Sequence, residues 1–323
     1  MKKYIALLAL AASLILALLV GNFWWGSSVK SVSVDTNEKD FLITKGSSAS
    51  QIGTKLQNEG LIRSSLAFRL YVQLTGKSKS VQAGEYSLSP SHSLVKMVDI
   101  LSKGPIEVWV TVPEGLRREE IADRFATGLA KKDKQTFVQE FLASSRAKEG
   151  YLFPDTYLFP KTASASAVVN KMLSTFDKKT SEFKEGIAAS KLSLEDIVTL
   201  ASIIERETRT DAERGVVAGI LINRLDIGMG LQADATVQYA AGTSENWWPI
   251  LTKEDIAISS PYNTYKFRGL PPTPIANPGL SSLKAAIFPE ESDYLYYLHD
   301  SKGQIYYAKT LEEHNENVRK YLQ

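Results

Sequence analysis

The sequence predicts an α+β protein: an N-terminal transmembrane helix, a module of strand–helix repeats, and a mainly helical C-terminal domain with added strands. Three observations predict it. An uncharged apolar run follows the first three residues, a strand–helix pattern with a turn glycine in two of its three copies comes before residue 130, and helical periodicity with two capping boxes dominates residues 193–228. A length of 323 residues suits two domains plus an extension. The expected divisions are 1–28 for a cytoplasmic flank and membrane helix, 36–130 for the repeat module, and 131–323 for the C-terminal domain.

Composition narrows the function classes. With 44% hydrophobic and 23% charged residues, the chain is neither disordered nor a multi-span membrane protein. Thirty-eight Lys and Arg against 36 Asp and Glu leave a formal charge of +2, which argues against a nucleic-acid partner held by phosphate neutralisation. The absence of cysteine removes thiol catalysis, disulfides, zinc ribbons and iron–sulfur clusters. The three histidines, His92, His299 and His314, form no His-Glu-x-x-His run, so neither a metal nor a cofactor is expected.

The N-terminus predicts the location. Met1-Lys2-Lys3 is a basic flank, and Tyr4–Val20 is almost wholly aliphatic, with Ser13 its one strongly polar side chain. Spanning takes about 20 apolar residues, a length reached when Phe23, Trp24 and Trp25 are included. The two indoles read as an interfacial anchor, and the lysines place the N-terminus in the cytoplasm and everything after Ser27 outside. A cleavable signal peptide is the competing reading, but no clean small-x-small site follows the apolar core.

Three strand–turn–helix copies follow. Ile43-Thr44-Lys45-Gly46 leads into Gln51–Leu56, and Val112-Pro113-Glu114-Gly115 leads into Glu119–Phe125. Leu88–Ser91 before Lys96–Leu101 has the same shape. Ile106, Val108, Val110 and Val112 alternate with Glu107, Trp109 and Thr111, a strand with one buried face. Such units resemble LysM-type modules, which grip N-acetylated wall sugars; spacing alone favours a structural platform, since no aromatic sugar-binding pattern stands out in these helices. Next, Glu149–Pro160 packs Tyr151, Phe153, Tyr157 and Phe159 beside Pro154 and Pro160. These rings suit either a carbohydrate cleft or a sealed domain seam.

A carboxylate pair stands out further on. Ser193-Leu194-Glu195-Asp196 is a capping box, and Ile197, Leu200, Ala201 and Ile204 continue one apolar face. Thr210-Asp211-Ala212-Glu213 opens a second helix through Val216, Val217, Ile220, Leu221 and Leu225, with Gly228 as its stop. The first helix must therefore end near Thr208, which puts Glu205 and Glu207 in its last turn, against the negative end of the dipole. That placement, with burial, raises a carboxyl pKa as a general acid requires. The alternative is a solvated surface charge paired with Arg206 or Arg209, and the helical wheel does not choose between Glu205 and Glu207.

The run Ala201-Ser202-Ile203-Ile204-Glu205-Arg206-Glu207-Thr208 resembles the signature of the YceG-like endolytic murein transglycosylases. Glu213-Arg214, Ile222–Leu225, Met229–Asp234, Tyr262–Tyr265, Gly269–Pro272, Pro278-Gly279 and Glu313-His314-Asn315 agree in family order. The resemblance implies a lysozyme-like helical catalytic domain, with Glu207 as the catalytic glutamate. It implies peptidoglycan glycan strands as substrate, cut internally near the membrane. It also implies association with membrane glycan polymerases and with elongation or division proteins. One acid suffices for such chemistry. Glu207 would protonate the glycosidic oxygen between MurNAc and GlcNAc, then take the proton of the MurNAc 6-hydroxyl as that oxygen attacks its own anomeric carbon. The product is a 1,6-anhydro end.

Supporting roles are open on the residues alone. Gln232, Asn263 and Tyr265 are candidates to hydrogen-bond N-acetyl groups or steer Glu207, and Tyr262 to stack on a sugar; loop stabilisation serves each equally well. Asp234 facing Glu207 would make a two-carboxylate muramidase credible. A non-catalytic wall-binding scaffold is the alternative of another class. Two positions depart from the family pattern. Ala235 replaces the usual Pro, a change expected to alter only loop stiffness. Ile305 stands in the register of a hairpin His, implying that the imidazole is dispensable or the subsite modified.

Overall fold

The computed structural model describes residues 2–322, with side chains described from residue 10. The Met1-Lys2-Lys3 flank, on which the expected orientation rests, lies outside the described side chains. The chain divides into two compact units, Met1–Val108 with Leu158–Thr162, and Trp109–Tyr157 with Ala163–Gln323. The division falls at Val108 rather than near residue 130, so the third strand–helix copy supplies secondary structure to the second unit. Periodicity showed the copies to be alike and carried no information about which core each one joins.

The first unit opens with α1 (Lys2–Ser28). From Leu10 to Phe23 its aliphatic and aromatic side chains stand exposed, and the stretch to Ser28 is long and apolar enough to cross a membrane. The expected interfacial pair of indoles behaves differently on its two rings. Trp24 is exposed, whereas Trp25 packs on the core of the unit with its ring 6.4 Å from Tyr71. The helix end is tied down as well, because Val29 O accepts from Leu94 N.

The remainder of this unit runs β1 (Lys39–Ile43), α2 (Ala49–Asn58), α3 (Ser65–Leu74), β2 (Gly84–Leu88) and α4 (Leu94–Lys103). β1 and β2 pair antiparallel with Phe41 opposite Tyr86, both wholly buried. Ser48, Ser64 and Ser93 cap the three helices, each accepting from the N3 amide as short hydroxyl side chains do. Ile52, Leu56, Phe68, Met97 and Leu101 complete the core.

β3 (Glu107–Thr111) pairs with β4 (Thr156–Pro160), and the boundary between units falls within both strands. The second unit continues with α5 (Arg118–Gly128), α6 (Lys134–Ser144), α7 (Ala165–Thr180), α8 (Lys184–Ala189), α9 (Leu194–Glu207), α10 (Asp211–Asp226), α11 (Asp234–Ala241), α12 (Lys253–Ile256), α13 (Leu280–Ile287) and α14 (Leu311–Tyr321). Between the last two lies a hairpin of β5 (Tyr296–His299) and β6 (Ile305–Ala308).

α9 is the axis of this unit. The one apolar face expected there understates its burial. Every residue from Ile197 to Ile204 is buried, because α10, α11 and α13 pack around it. The Ser202 hydroxyl inside is satisfied, donating to Thr199 O at 2.7 Å and accepting from Ile275 N at 3.0 Å. The aromatic loop before β4 turns inward too. Phe153, Tyr157 and Phe159 are buried, and Tyr157 donates to Phe153 O at 2.6 Å, so these three rings are core rather than a sugar platform, whereas half-buried Tyr151 lines a cavity of about 400 Å³.

Close packing on α10 is tested at Gly219, where an added Cβ would collide with the Glu290 carbonyl. Gly219→Ala is expected to cost about 1–3 kcal/mol through overpacking, read as a lower midpoint in urea with an unchanged slope.

Candidate active site

The last turn of α9 carries the two glutamates, and their surroundings separate them. α9 starts at the Ser193–Asp196 capping box and ends where Thr208 turns extended, its hydroxyl donating to Ile204 O at 2.7 Å. α10 restarts three residues later, with the Glu213 carboxylate accepting from Arg209 N and the Thr210 hydroxyl, both at 2.9 Å. This tight helix–helix turn leaves Glu205 and Glu207 aimed in different directions.

Glu205 is fully engaged. Its Oε1 accepts from Arg214 Nη2 at 2.9 Å, and its Oε2 accepts from Gly279 N at 2.9 Å and Ser282 Oγ at 2.8 Å. Both members of the Glu205–Arg214 pair are buried. It joins α9 to α10 and to the N-terminus of α13, where backbone N–H groups favour a negative charge. Arg206, between the glutamates, lies 3.8 Å over the Trp248 ring.

Glu207 instead lines a cavity of about 460 Å³ with Arg224, Gln232, Asp234, Tyr265, Tyr296, Tyr297, His299 and His314. Tyr297 Oη donates to its Oε2 at 2.9 Å, and Ala235 N directs its hydrogen at Oε1 from 3.4 Å. Burial pushes the Glu207 carboxyl above its ordinary value; the two hydrogen bonds oppose that shift and the nearby Asp234 charge adds to it. The carboxyl therefore sits between the C-terminal end of α9, which disfavours charge, and the first turn of α11, which favours it.

The sequence-derived candidates divide between places. Gln232, Asp234 and Tyr265 share the cavity of Glu207. Gln232 holds a left-handed backbone conformation, φ +49°, unusual for a residue with a Cβ. Tyr265 Oη donates to Asp234 Oδ1 at 2.6 Å. Tyr262 lines a different cavity of about 400 Å³ with Tyr239, Glu149 and Pro271–Pro274, its ring 4.9 Å from that of Tyr239. Asn263 faces neither. It is wholly buried, its amide donating to Ile256 O and Ile258 O and its carbonyl accepting from Tyr265 N, so it is a loop anchor and not a sugar contact.

Both departures from the family pattern acquire structural content. Ala235 does more than soften a loop, since the N–H it offers Glu207 is one a proline lacks. Ile305 pairs directly with His299 across the hairpin, so an imidazole is present on the neighbouring strand, where its Nε2 lies 3.0 Å from Glu213 Oε2.

Residues that sequence reasoning missed come from the same hairpin and α14. Tyr297 is 90 positions from Glu207, and nothing in a four-residue strand marks which of its tyrosines turns inward. His314 stacks on Tyr296 with ring centroids 5.2 Å apart, and its buried Nδ1 has no hydrogen-bond partner among the described residues. Burial, helped by the charge of Arg224, lowers its pKa and keeps the ring neutral. Arg224 holds the site together, donating from Nε to Leu295 O at 2.6 Å and from Nη1 to Leu231 O. Among the described residues no group of three or more His, Asp or Glu is placed to hold a metal ion.

The two glutamates are separable by stability. Because the folded chain holds the Glu207 proton to higher pH than the unfolded chain, that contribution is present in acid and is lost as pH rises through the folded value. Glu207→Gln is therefore expected to melt at or above the wild-type temperature at pH 7, with the difference gone near about pH 4. Glu205→Gln removes the most buried of the three carboxylates around Arg214, leaving Asp211 and Glu114 beside the guanidinium, and is expected to cost about 1–3 kcal/mol.

Comparison with known proteins gives the chain a family. The model of the YceG-like family matches residues 41–320. An endolytic murein transglycosylase of Bacillus subtilis (strain 168) is 36% identical over 334 aligned positions, covering 94% of this chain and 90% of that protein. One from Streptococcus pneumoniae (D39) is 31% identical over 90% of this chain, which spans 60% of that longer protein. The 2.6 Å crystal structure of a YceG-like protein from Listeria monocytogenes superposes with a TM-score of 0.58 at 34% identity, covering 87% of this chain and 99% of that one. The chain thus belongs to the YceG-like family, in company with proteins named endolytic murein transglycosylases.

Proposed function

We propose that this protein is a membrane-anchored lytic transglycosylase that cuts MurNAc–GlcNAc bonds within peptidoglycan glycan strands, with Glu207 as both acid and base. The observation that carries this reading is the position of Glu207, a desolvated carboxyl with a raised pKa on the wall of an open cavity. Such a group keeps its proton to higher pH than a free carboxyl and can deliver it to a glycosidic oxygen. The carboxylate formed is then met by Tyr297 Oη and Ala235 N, donors already in place for negative charge. As a base it removes the proton of the MurNAc 6-hydroxyl while that oxygen closes on the anomeric carbon. The internal nucleophile supplies an effective molarity on the order of 10⁵ M or more, so no positioned water is needed. Neutral His314 and the Asp234–Tyr265 pair line the same cavity and are suited to hold hydroxyl and N-acetyl groups.

The exposed apolar length of α1 supports a single membrane pass, and the Lys2-Lys3 flank in the sequence supports a cytoplasmic N-terminus with the catalytic unit outside. The β1-α2-α3-β2 order of the first unit, with its two antiparallel strands, suits the LysM-like reading of that module, and the burial of α9 by other helices suits a lysozyme-like core. Work beside the membrane on strands under construction would bring the protein to glycan polymerases and to the elongation or division machinery, and its cuts would terminate those strands.

One observation favours a second reading. Asp234 is exposed and lines the same cavity as Glu207, so a hydrolase using both carboxyls is the competing mechanism. Mass spectrometry of digested strands separates them: anhydro ends are expected, and a preponderance of reducing ends would transfer the assignment to the hydrolase. Glu207→Gln is expected to lower kcat by roughly 10²–10⁴-fold. Strand cleavage at the wild-type rate by that variant would exclude Glu207 as the acid.

Tyr297→Phe gives an independent check through pH. Its hydroxyl favours the charged form of Glu207, so its removal raises the Glu207 pKa further. The alkaline limb of kcat against pH is expected to move to higher pH, with a lower maximum because the carboxylate has lost a donor.

A further inference from the structure

β3 was expected to bury one face and leave the other to water, yet the outward face carries an indole. Val110 and Val112 are buried while Trp109 is 68% exposed. An exposed Trp forgoes the burial that ordinarily places it, which singles out its surroundings. Trp109 borders an open cavity of about 590 Å³, which it lines with Trp247, Asp123, Arg124, Glu120 and Thr111. None of the residues lining this cavity lines that of Glu207.

The groups around it are held in place. Trp247 is fixed by the Arg117 guanidinium 4.6 Å from its ring centre. Glu120 Oε2 accepts from Arg117 N at 3.0 Å and from Trp248 Nε1 at 2.9 Å. Arg124 Nε donates to the Thr111 carbonyl, which pins the guanidinium beside β3. Asp123 is exposed and has no hydrogen-bond or ion-pair partner among the described residues. Gly128 forms a bare floor, where an added Cβ would approach Val110 to 2.8 Å.

We infer that this cavity is a second, non-catalytic saccharide-binding site, which holds an N-acetylated glycan strand at a distance from the point of cleavage. The chemistry selects that occupant. Two indoles offer faces for the C–H surface of pyranose rings, while one unengaged carboxylate and one anchored guanidinium offer an acceptor and donors for hydroxyl and amide groups. The two carboxylates, Asp123 and Glu120, oppose an anionic ligand, and the mixture of charges opposes a lipid tail. The inference rests on the glycan substrate proposed above and adds to it a second hold on the same polymer. Two holds on one strand raise affinity for long strands through effective concentration, without touching the chemical step.

The test uses the full chain with Glu207→Gln, which leaves strands intact, and measures binding to long, peptide-free glycan strands. Adding Trp109→Ala and Asp123→Ala is expected to weaken that binding by about fivefold or more, whereas Trp109→Tyr, which keeps an aromatic face, stays near the parent. On the active background the double substitution is expected to raise KM for long strands by a similar factor, with kcat unchanged and turnover of a short muro-oligosaccharide unaffected. Parental affinity for long strands in the double variant overturns the proposal. So does an equal loss on long strands and short oligosaccharides, which would place Trp109 and Asp123 in the catalytic cleft or in the fold. Cleavage by the Glu207→Gln protein would instead remove the catalytic assignment, and the KM comparison between long strands and short oligosaccharides on the active background then decides the proposal by itself.

Discussion

The buried Glu205–Arg214 pair is the constraint from which the rest of the second unit follows. It ties the end of α9 to α10, and its second carboxylate oxygen receives the first amide of α13 and the Ser282 hydroxyl. Three helices are thereby indexed to one carboxylate. With Glu205 occupied on that side, the last turn of α9 has one direction left for Glu207, into the cavity closed by the β5–β6 hairpin and α14. An ion pair buried this well is weak evidence of stability, because desolvation offsets much of its attraction. Its value here is geometric, since a turn pinned at Glu205 cannot let Glu207 drift.

Around Glu207 opposing electrostatic influences meet, and burial is the largest of them. Burial and the α9 terminus favour the neutral acid, while Tyr297 Oη and the amide of Ala235 favour the carboxylate. Under the proposed function Glu207 gives up a proton and takes one back; burial serves the first task and the two donors serve the second. The neighbouring pairs are similarly settled: His299 with Glu213, Tyr265 with Asp234, and Arg224 with the carbonyls of Leu231 and Leu295. The cavity is thus lined by polar groups whose orientations are set before any ligand arrives, the condition under which fixed dipoles act without reorganisation.

Much of this was legible in the sequence, for reasons that differ by element. Caps and periodicity are local, so the start of α9 at Ser193, its end near Thr208, and the strand–helix copies could be read from neighbouring residues. The same locality explains the misreadings. Asn263 and Tyr262 sit beside Tyr265 in the chain, but alternation of direction in an irregular loop sends one into the core and the other to a different cavity. Trp25 resembled an interfacial anchor by its place after an apolar run, and packs instead on the module that follows it. Ala235 resembled a neutral replacement because the loss or gain of a backbone N–H has no side-chain signature.

The sequence by itself determined which turn holds the paired glutamates, where the helices around it begin and end, and that the chain opens with a segment of spanning length. Those are properties of residues within a few positions of each other, governed by the backbone hydrogen bonds and side-chain spacing of a single element. Only the tertiary structure decided which glutamate is neutralised by an arginine and which is left facing a cavity. That choice depends on Arg214, Gly279, Ser282 and Tyr297, brought from three other elements, and the energy of burying a charge depends on everything packed around it.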